Sequence, residues 1–360
     1  MTRNTYKEAM APAYGGADME SLMLMLETKR PHKSKAERKF IADFIEPLGV
    51  ETDGFGNLYK RVSGVGDDIL WSVHTDTVHH SGGRQLIRKR QGMITLNPKS
   101  KANCLGADDT AGVWLAREMI AAKKPGLYVF HRAEECGGLG SDFIATHNTG
   151  LLDGIKMAIA LDRKGYADVI THQGERGCSN AFAESLAAGL NTGHNLEFSP
   201  DDTGLFTDTA NYFGIVPECT NISVGYFGQH SSKERQDSEF LVSLRAALIA
   251  LDTSKLIVER NPEDSYYEDF EPSDPDRFDS LVSLYVNGAT NPWDKSLLPG
   301  PATIGKQLES LSDIGDSNHV YLIRAIQENP ESIAEILDDY GIGIDEILQA
   351  VYDRTGNIPY

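Results

Sequence analysis

The chain has 360 residues, of which 53 are acidic and 34 are basic, for a formal net charge of −19. Such a charge argues against nucleic acid or an anionic membrane as the main partner, because both require basic patches on the protein. A hydrophobic content of 40% is sufficient to build the core of one large domain or of two smaller ones.

The cysteine content and the N-terminal residues favour a reducing compartment. None of the four cysteines forms a C-x-x-C pair, and four in 360 residues are too few for a disulfide scaffold. The first residues lack the apolar stretch of a secretory signal, and no run of 18 apolar residues could span a membrane. We therefore predict a cytoplasmic protein without a membrane partner.

Helical and strand patterns alternate along residues 17–254. The second predicted helix begins with Ser34 and Glu37 in a capping-box pattern, and the stretch 67–74 has the apolar character of a strand buried on both faces. The predicted helices cover 17–30, 34–49, 108–124, 140–147 and 238–254, and the predicted strands cover 56–62, 67–74, 92–97, 126–133, 155–162, 168–173 and 220–228. This alternation predicts an α/β fold with a mostly parallel central sheet and helices on both faces.

The composition changes after residue 255. Residues 256–276 are acidic and contain three prolines, which predicts a linker. Beyond the linker, apolar residues recur at helical spacing, as in Ile333, Ile336, Leu337 and Tyr340. We therefore predict three segments, namely a main domain over 1–255, this linker, and a helical C-terminal extension over 277–360.

Residues able to bind metal ions follow the predicted strands at five places. These motifs are H-T-D at 74–76, G-A-D-D-T-A-G at 106–112, A-E-E-C-G-G at 133–138, L-D-R at 161–163 and G-Q-H-S-S-K-E at 228–234. Because the carboxyl ends of parallel strands lie along one edge of a sheet, the five loops are expected to converge there. Two imidazoles with several carboxylates suit two divalent cations better than one structural zinc. Two cations need a bridging carboxylate, for which Asp108 and Asp109 are the candidates.

The order of these motifs resembles that of the co-catalytic di-zinc exopeptidases, the superfamily of bacterial leucyl aminopeptidase, peptidase T and glutamate carboxypeptidase. The shared pattern is H-x-D, D-D-x-x-G, E-E, a lone D or E, and H, and T-D-G-F-G-N-L-Y-K at 52–60 resembles the D-x-x-G-N segment of that family. The resemblance spans residues 17–252. It implies that the main domain is a metallopeptidase catalytic domain with two divalent ions, zinc first, with cobalt or manganese as alternatives.

The resemblance also implies a role for each motif residue. The implied metal ligands are His74, Asp108, Glu135, Asp162 and His230. His74 and Asp162 would share one ion, Glu135 and His230 the other, and Asp108 would bridge the two. Asp76 would orient the imidazole of His74, and Glu134 would be the general base toward a water between the ions. A cis peptide bond is implied between Asp108 and Asp109.

Two spacings and one residue type favour a compact aminopeptidase within this superfamily. Only 67 residues separate Asp162 from His230, which is too few for the lid domain of the carboxypeptidase branch. The 31 residues between Asp76 and Asp108 leave no room for the insertion of the tetrahedral-shell aminopeptidases. Aspartate at position 162 goes with aminopeptidases in the superfamily. The resemblance therefore implies cleavage of the N-terminal peptide bond of short peptides.

Other functions remain open on the sequence alone. The same metal motifs would serve a deacylase of N-acyl amino acids or a carboxypeptidase, and an inactive binding or structural protein could retain the fold. The C-terminal extension could make the chain a homo-oligomer. Among residues without an implied role in metal binding, we interpret Cys136 as a small buried thiol, and Tyr212 and Tyr226 as candidate donors to the oxyanion.

Overall fold

A computed structural model of the protein describes residues 17–263. Most of the predicted linker and the whole predicted extension lie outside the described residues, so the proposed division of the chain stays a prediction. The helices are α1 Met19–Leu26, α2 Lys35–Phe44, α3 Ala107–Ala121, α4 Leu139–His147, α5 Asn180–Asn191 and α6 Ser238–Ala250. The strands are β1 Thr28–Lys29, β2 Glu51–Thr52, β3 Leu58–Val62, β4 Ile69–His74, β5 Gly83–Arg84, β6 Ile87–Arg90, β7 Met93–Leu96, β8 Gly126–His131, β9 Met157–Arg163, β10 Asp168–Ile170, β11 His172–Gln173, β12 Glu175–Arg176, β13 Ser199–Asp201, β14 Glu218–Ser223, β15 Tyr226–Phe227 and β16 Arg235–Asp237.

An eight-stranded sheet forms the centre of the domain, in the order β13-β10-β14-β9-β4-β8-β3-β2. Its four middle strands, β14, β9, β4 and β8, are parallel. Antiparallel pairs occur toward the margins, where β10 meets β14, and where β3 meets β8 and β2. The predicted α/β fold with a central sheet is confirmed, with a parallel middle and mixed margins.

Alternating side chains of the middle strands supply two hydrophobic layers, because successive residues of a strand point to opposite faces. On one face, Trp71, Tyr128 and Ile159 belong to the larger core, which α1, α2, α3, α5 and α6 complete. On the other face, Leu70 and Val129 join a smaller core with residues of α4. All six residues of β4 are buried, as the apolar run at 67–74 predicts.

A smaller antiparallel sheet has the order β15-β16-β7-β6. Its strands β6 and β7 lie between β4 and α3 in the chain, and β15 and β16 lie between β14 and α6. The loop from β15 to β16 contains His230, so this sheet supports one of the predicted site residues. The sequence predicts β7, but it does not predict its partner β6. It also does not predict α5. No helix of residues 17–263 is long and apolar enough to cross a membrane.

The start of α2 confirms only half of the predicted capping box. The hydroxyl of Ser34 accepts a hydrogen bond from the backbone nitrogen of Glu37 at 3.0 Å. The Glu37 carboxylate does not return to the Ser34 nitrogen, however. It is buried, and it accepts from the nitrogen of Lys33 at 2.7 Å and from the guanidinium of Arg132 at 2.6 and 2.9 Å. Glu37, which the sequence pattern predicts to be a local cap, therefore forms a long-range ion pair with Arg132.

Candidate metal centre

The predicted site residues converge at one edge of the central sheet. His74 is the last residue of β4, and Glu134 and Glu135 lie in the 3-10 turn that follows β8. Asp162 is near the end of β9 and Asp108 is in the first turn of α3. The fifth segment is the loop with His230 between β15 and β16. Because the three strands are parallel neighbours, their carboxyl ends bring these loops together, as the topology predicts.

Asp108 lies between the two imidazoles. Its Oδ1 is 3.0 Å from Nε2 of His74, and its Oδ2 is 3.3 Å from Nε2 of His230. The same nitrogen of His74 is 3.8 Å from Asp162 Oδ1, and that of His230 is 3.2 Å from Glu135 Oε2. One carboxylate therefore faces two groups of potential ligands, each with one histidine and one further acid.

Asp109 differs from Asp108 although the two are adjacent. A cis peptide bond joins them, as the resemblance implies, and both have non-helical dihedral angles at the start of α3. Asp109 Oδ1 and Oδ2 accept hydrogen bonds from the backbone nitrogens of Gly112 at 2.8 Å and His74 at 3.1 Å. Although ligand atoms of His74, Asp109 and Asp162 also lie within 4.8 Å of one another, these bonds give Asp109 a structural role.

Asp76 contacts both a candidate ligand and the candidate base. Its carboxylate Oδ1 is 3.7 Å from Nδ1 of His74, whereas its backbone oxygen is 3.2 Å from that nitrogen. The carboxylate accepts a hydrogen bond from the backbone nitrogen of Glu134 at 3.2 Å. The main chain of Asp76 therefore holds the imidazole, while its side chain holds the turn that presents Glu134.

Asp162 is held by hydroxyl groups that the sequence analysis did not assign to it. The Thr207 hydroxyl donates to Oδ2 at 3.0 Å, and the Tyr226 hydroxyl lies 3.2 Å from Oδ1. Thr207 begins the segment T-D-T-A-N-Y-F-G, whose polar residues before β14 were the available signal. This contact favours a role for Tyr226 in positioning Asp162 over the interpretation of Tyr226 as an oxyanion donor.

Three further residues differ from or refine the sequence-based interpretation. Tyr212 is fully buried, and its hydroxyl is 2.6 Å from Nε2 of His131, which excludes it as an oxyanion donor in this structure. His131 also pairs with Asp208 at 3.2 Å, so it is a structural histidine. The expectation that Cys136 is buried is wrong: it is exposed at the end of the turn that contains Glu135, and the next residue, Gly137, is exposed as well.

The electrostatics of the site show a shortage of positive charge. Burial raises the pKa of Glu134 well above its usual range, and the charge of Asp162 adds to that effect. Burial and the charge of Asp108 raise the pKa of Asp162 to about 7. Burial alone would lower the pKa of His230, but hydrogen bonds to Asp108 and Glu135 raise it to about 12. Protons are thus drawn to these groups because the carboxylates are crowded and desolvated.

Divalent cations fit this donor set. Glu135 Oε1 and Asp76 Oδ2 are buried without a hydrogen-bond partner, which is costly for a carboxylate unless something positive lies beside it. The ligand atoms of His74, Asp108 and Glu135 lie within 4.8 Å of one another. Imidazole and carboxylate ligands in such a group suit catalytic zinc, cobalt or manganese, and the absence of a thiolate argues against a structural zinc.

Solved structures with a similar fold are peptidases. Aminopeptidase PepT from Bacillus cereus ATCC 10987 aligns with a TM-score of 0.52 at 16% identity, over 66% of this chain and 98% of that one. The chain has the fold of this aminopeptidase. A tripeptidase from Staphylococcus aureus subsp. aureus Mu50 aligns with a TM-score of 0.52 at 13% identity, over 64% of this chain and 96% of that one. No protein-family model matches the sequence, and a comparison with curated proteins finds no match.

Proposed function

We propose that the chain is a di-metal-dependent aminopeptidase that hydrolyses the N-terminal peptide bond of short peptides. The observation that carries this proposal is the placement of Asp108, whose two oxygens face the imidazoles of His74 and His230 at 3.0 and 3.3 Å. His74, Asp162 and Asp108 would hold one cation, and His230, Glu135 and Asp108 the other. The similar structures include an aminopeptidase and a tripeptidase, which supports peptides as substrates.

Two cations at these positions would polarise the scissile carbonyl and favour ionisation of the attacking water. Glu134 is the general base in this proposal, which its distance of 3.9 Å from Oε2 to Nε2 of His74 supports. It takes a proton from the water as the C–O bond forms, and it gives that proton to the leaving amine as the C–N bond breaks. Burial favours this exchange because it raises the pKa of Glu134.

The side-chain partners of the site keep the reacting groups in place. The hydrogen bond from the Glu134 nitrogen to Asp76 fixes the turn of the base, and Thr207 and Tyr226 fix Asp162. Such outer contacts orient metal ligands and set the affinity of a site. The chain's own residues thus supply both the acid–base group and the rigid arrangement around it.

Elemental analysis combined with a substrate panel tests the proposal. The panel contains aminoacyl anilides, N-acyl amino acids and peptides blocked at either end. We expect two divalent ions per chain and hydrolysis of substrates with a free N-terminus. Preference for N-acyl amino acids would make the chain a deacylase, and a requirement for a free C-terminus would make it a carboxypeptidase. Lack of bound metal together with lack of turnover would identify an inactive protein that retains the fold.

A further inference from the structure

Glu234 is a buried acid outside the predicted ligand set. Its side chain is 1% exposed, and it accepts hydrogen bonds from four consecutive backbone nitrogens. Oε2 accepts from Leu105 at 2.7 Å and Gly106 at 2.8 Å, and Oε1 accepts from Ala107 at 2.7 Å and Asp108 at 3.1 Å. Four donors that converge on one carboxylate form a tight anion-binding arrangement within the chain.

These hydrogen bonds join two loops of the candidate metal centre. One loop ends at Asp108, and the other contains His230, four residues before Glu234. A short turn connects His230 to this acid, because the nitrogen of Glu234 donates to the oxygen of Ser231 at 3.0 Å. His230 itself has a φ of 60°, a left-handed conformation that is uncommon for a non-glycine residue.

The two proposed cation positions depend on Glu234 to different extents. His74 belongs to β4 and Asp162 to β9, so the central sheet fixes these ligands. His230 lies in a loop, and its distance of 3.3 Å from Asp108 Oδ2 spans the two segments that Glu234 joins. A change at Glu234 would therefore alter the spacing on the His230 side more than that on the His74 side, where two of the three ligands belong to the sheet.

We propose that Glu234 is a positioning residue that sets the spacing between Asp108 and His230, and thereby the affinity for the cation bound by His230. This inference rests on the proposed di-metal function. In a Glu234→Gln variant, one carboxylate oxygen is replaced by an amide NH2 group, which donates hydrogen bonds but does not accept them. The two backbone N–H groups that face it would lose their acceptor, so two of the four hydrogen bonds would be lost. The loop would then move relative to Asp108 without any change in the ligands themselves.

Glu218 offers a matched control at a distance from the site. It is fully buried at the start of β14, and it accepts from the backbone nitrogens of Ser179, Glu259 and Arg260 at 2.7, 2.7 and 2.9 Å. Glu218→Gln therefore removes hydrogen bonds of the same kind and lowers stability in the same way. The control separates a loss of stability from a loss of site geometry.

The experiment titrates the metal-free full-length chain with Zn²⁺ by calorimetry, and with Co²⁺ by visible absorption. We expect wild type to bind two ions, and we expect Glu218→Gln to bind each of them with the same affinity as wild type does. We expect Glu234→Gln to bind one ion as wild type does and the second about 10–100-fold more weakly. If that variant does not fold, Glu234→Asp, which keeps the charge but is one methylene shorter, should weaken the second ion alone.

The outcomes distinguish this inference from the proposed function. Two ions of unchanged affinity in the Glu234 variants would overturn the role of Glu234 and leave the di-metal centre standing. An equal weakening of both ions would also overturn it, since the role predicts an effect on one side. A wild-type chain that binds fewer than two ions would overturn the proposed function and the inference together.

Discussion

The carboxylate of Asp76 accepts a hydrogen bond from the backbone nitrogen of Glu134, 58 residues further along the chain, at 3.2 Å. This contact ties the loop after β4 to the turn after β8. We expect Asp76→Ala to reduce kcat and to weaken metal binding about 10–100-fold, because the turn of the base loses its hydrogen bond and the negative charge 3.7 Å from Nδ1 of His74 is removed, although the backbone oxygen still holds that imidazole. Steady-state kinetics and metal titration measure the two effects.

Asp76→Asn provides the comparison for that prediction. The amide oxygen can still accept from the Glu134 nitrogen, while the negative charge beside His74 is removed. We expect the asparagine variant to retain more activity than the alanine variant. Equal losses in both would show that the charge of Asp76, rather than the hydrogen bond, is what the site requires.

The proton-transfer role of Glu134 predicts a loss of turnover without a loss of metal. Glu134→Gln keeps the shape of the side chain but cannot accept a proton, so we expect kcat to fall by about 10²–10⁴. Metal content by elemental analysis should remain at two ions per chain. Near-normal turnover in this variant would contradict the assignment of the base.

Removal of metal should destabilise the folded chain. Without cations, the buried carboxylates of Asp108, Glu135 and Asp162 repel one another, and burial together with the charge of Asp108 raises the pKa of Glu135 and Asp162. Ligand binding to the native state stabilises it by mass action. With metal at a hundredfold excess over Kd, the loss is about 2.7 kcal/mol for each ion. We expect chelation to lower the Tm by about 5 °C or more in a thermal scan.

A variant without the two imidazoles provides the control for chelation. His74→Ala combined with His230→Ala should bind metal poorly, so the same chelator should hardly change its Tm. A Tm of the wild-type chain that does not respond to chelation would argue that the carboxylate cluster is stable without cations.

The ion pair of Glu37 and Arg132 links α2 to the residue that follows β8, so we expect substitutions at these two positions to have coupled effects on stability. Glu37 is fully buried and Arg132 is 17% exposed, and removing one partner of a buried pair costs about 3–5 kcal/mol. We expect Glu37→Gln and Arg132→Met each to lower the free energy of unfolding by this order. The double variant should lose less than the sum of the two, as measured by urea denaturation.

His79 predicts a pH dependence of stability. Burial lowers its pKa to about 4, with the charge of Arg30 adding to the effect, and Nε2 is 3.1 Å from the side-chain oxygen of Gln85. Because the folded pKa lies below that of the unfolded chain, neutral His79 contributes stability that is lost as the pH falls from about 6.5 toward 4. Between pH 6.5 and 5 this loss is about 2 kcal/mol.

Comparison with His79→Gln isolates the contribution of this one residue from that of the other titrating groups. Glutamine does not titrate, so the stability difference between wild type and variant should shrink as the pH falls through this window. Free energies of unfolding at pH 7, 6 and 5 are the measurement. A constant difference would mean that His79 has an ordinary pKa in the folded chain.

Much of the fold follows from local patterns in the sequence. The apolar run at Ile69–His74, the periodic residues of α2 and α6, and the acids after strands are local signals, and each lies where the topology predicts. The convergence of His74, Glu134 and Asp162 follows from the parallel middle of the sheet. The cis peptide bond between Asp108 and Asp109 was predicted from the family resemblance, because no local sequence propensity indicates it.

The features that the sequence did not reveal depend on long-range contacts. Glu234 lies within a predicted motif, yet its bonds reach nitrogens more than 120 residues away, and Glu37 reads as a cap although its partner is 95 residues distant. α5 had a usable signal in Ser179 as a cap and in the spacing of Phe182 and Leu186. Strands of two or three residues, such as β2 and β13, are too short to show a period of two.

Among the described strands, the margins of the eight-stranded and the four-stranded sheet offer little backbone to a neighbouring molecule. The outermost strands of the large sheet have two and three residues, and β6, at the margin of the small one, has the side chains of Arg88, Lys89 and Arg90 exposed. Short or charged margins oppose the addition of a strand from another chain. Fibril growth through these margins is therefore disfavoured, and we expect self-association of this domain to use side-chain surfaces instead.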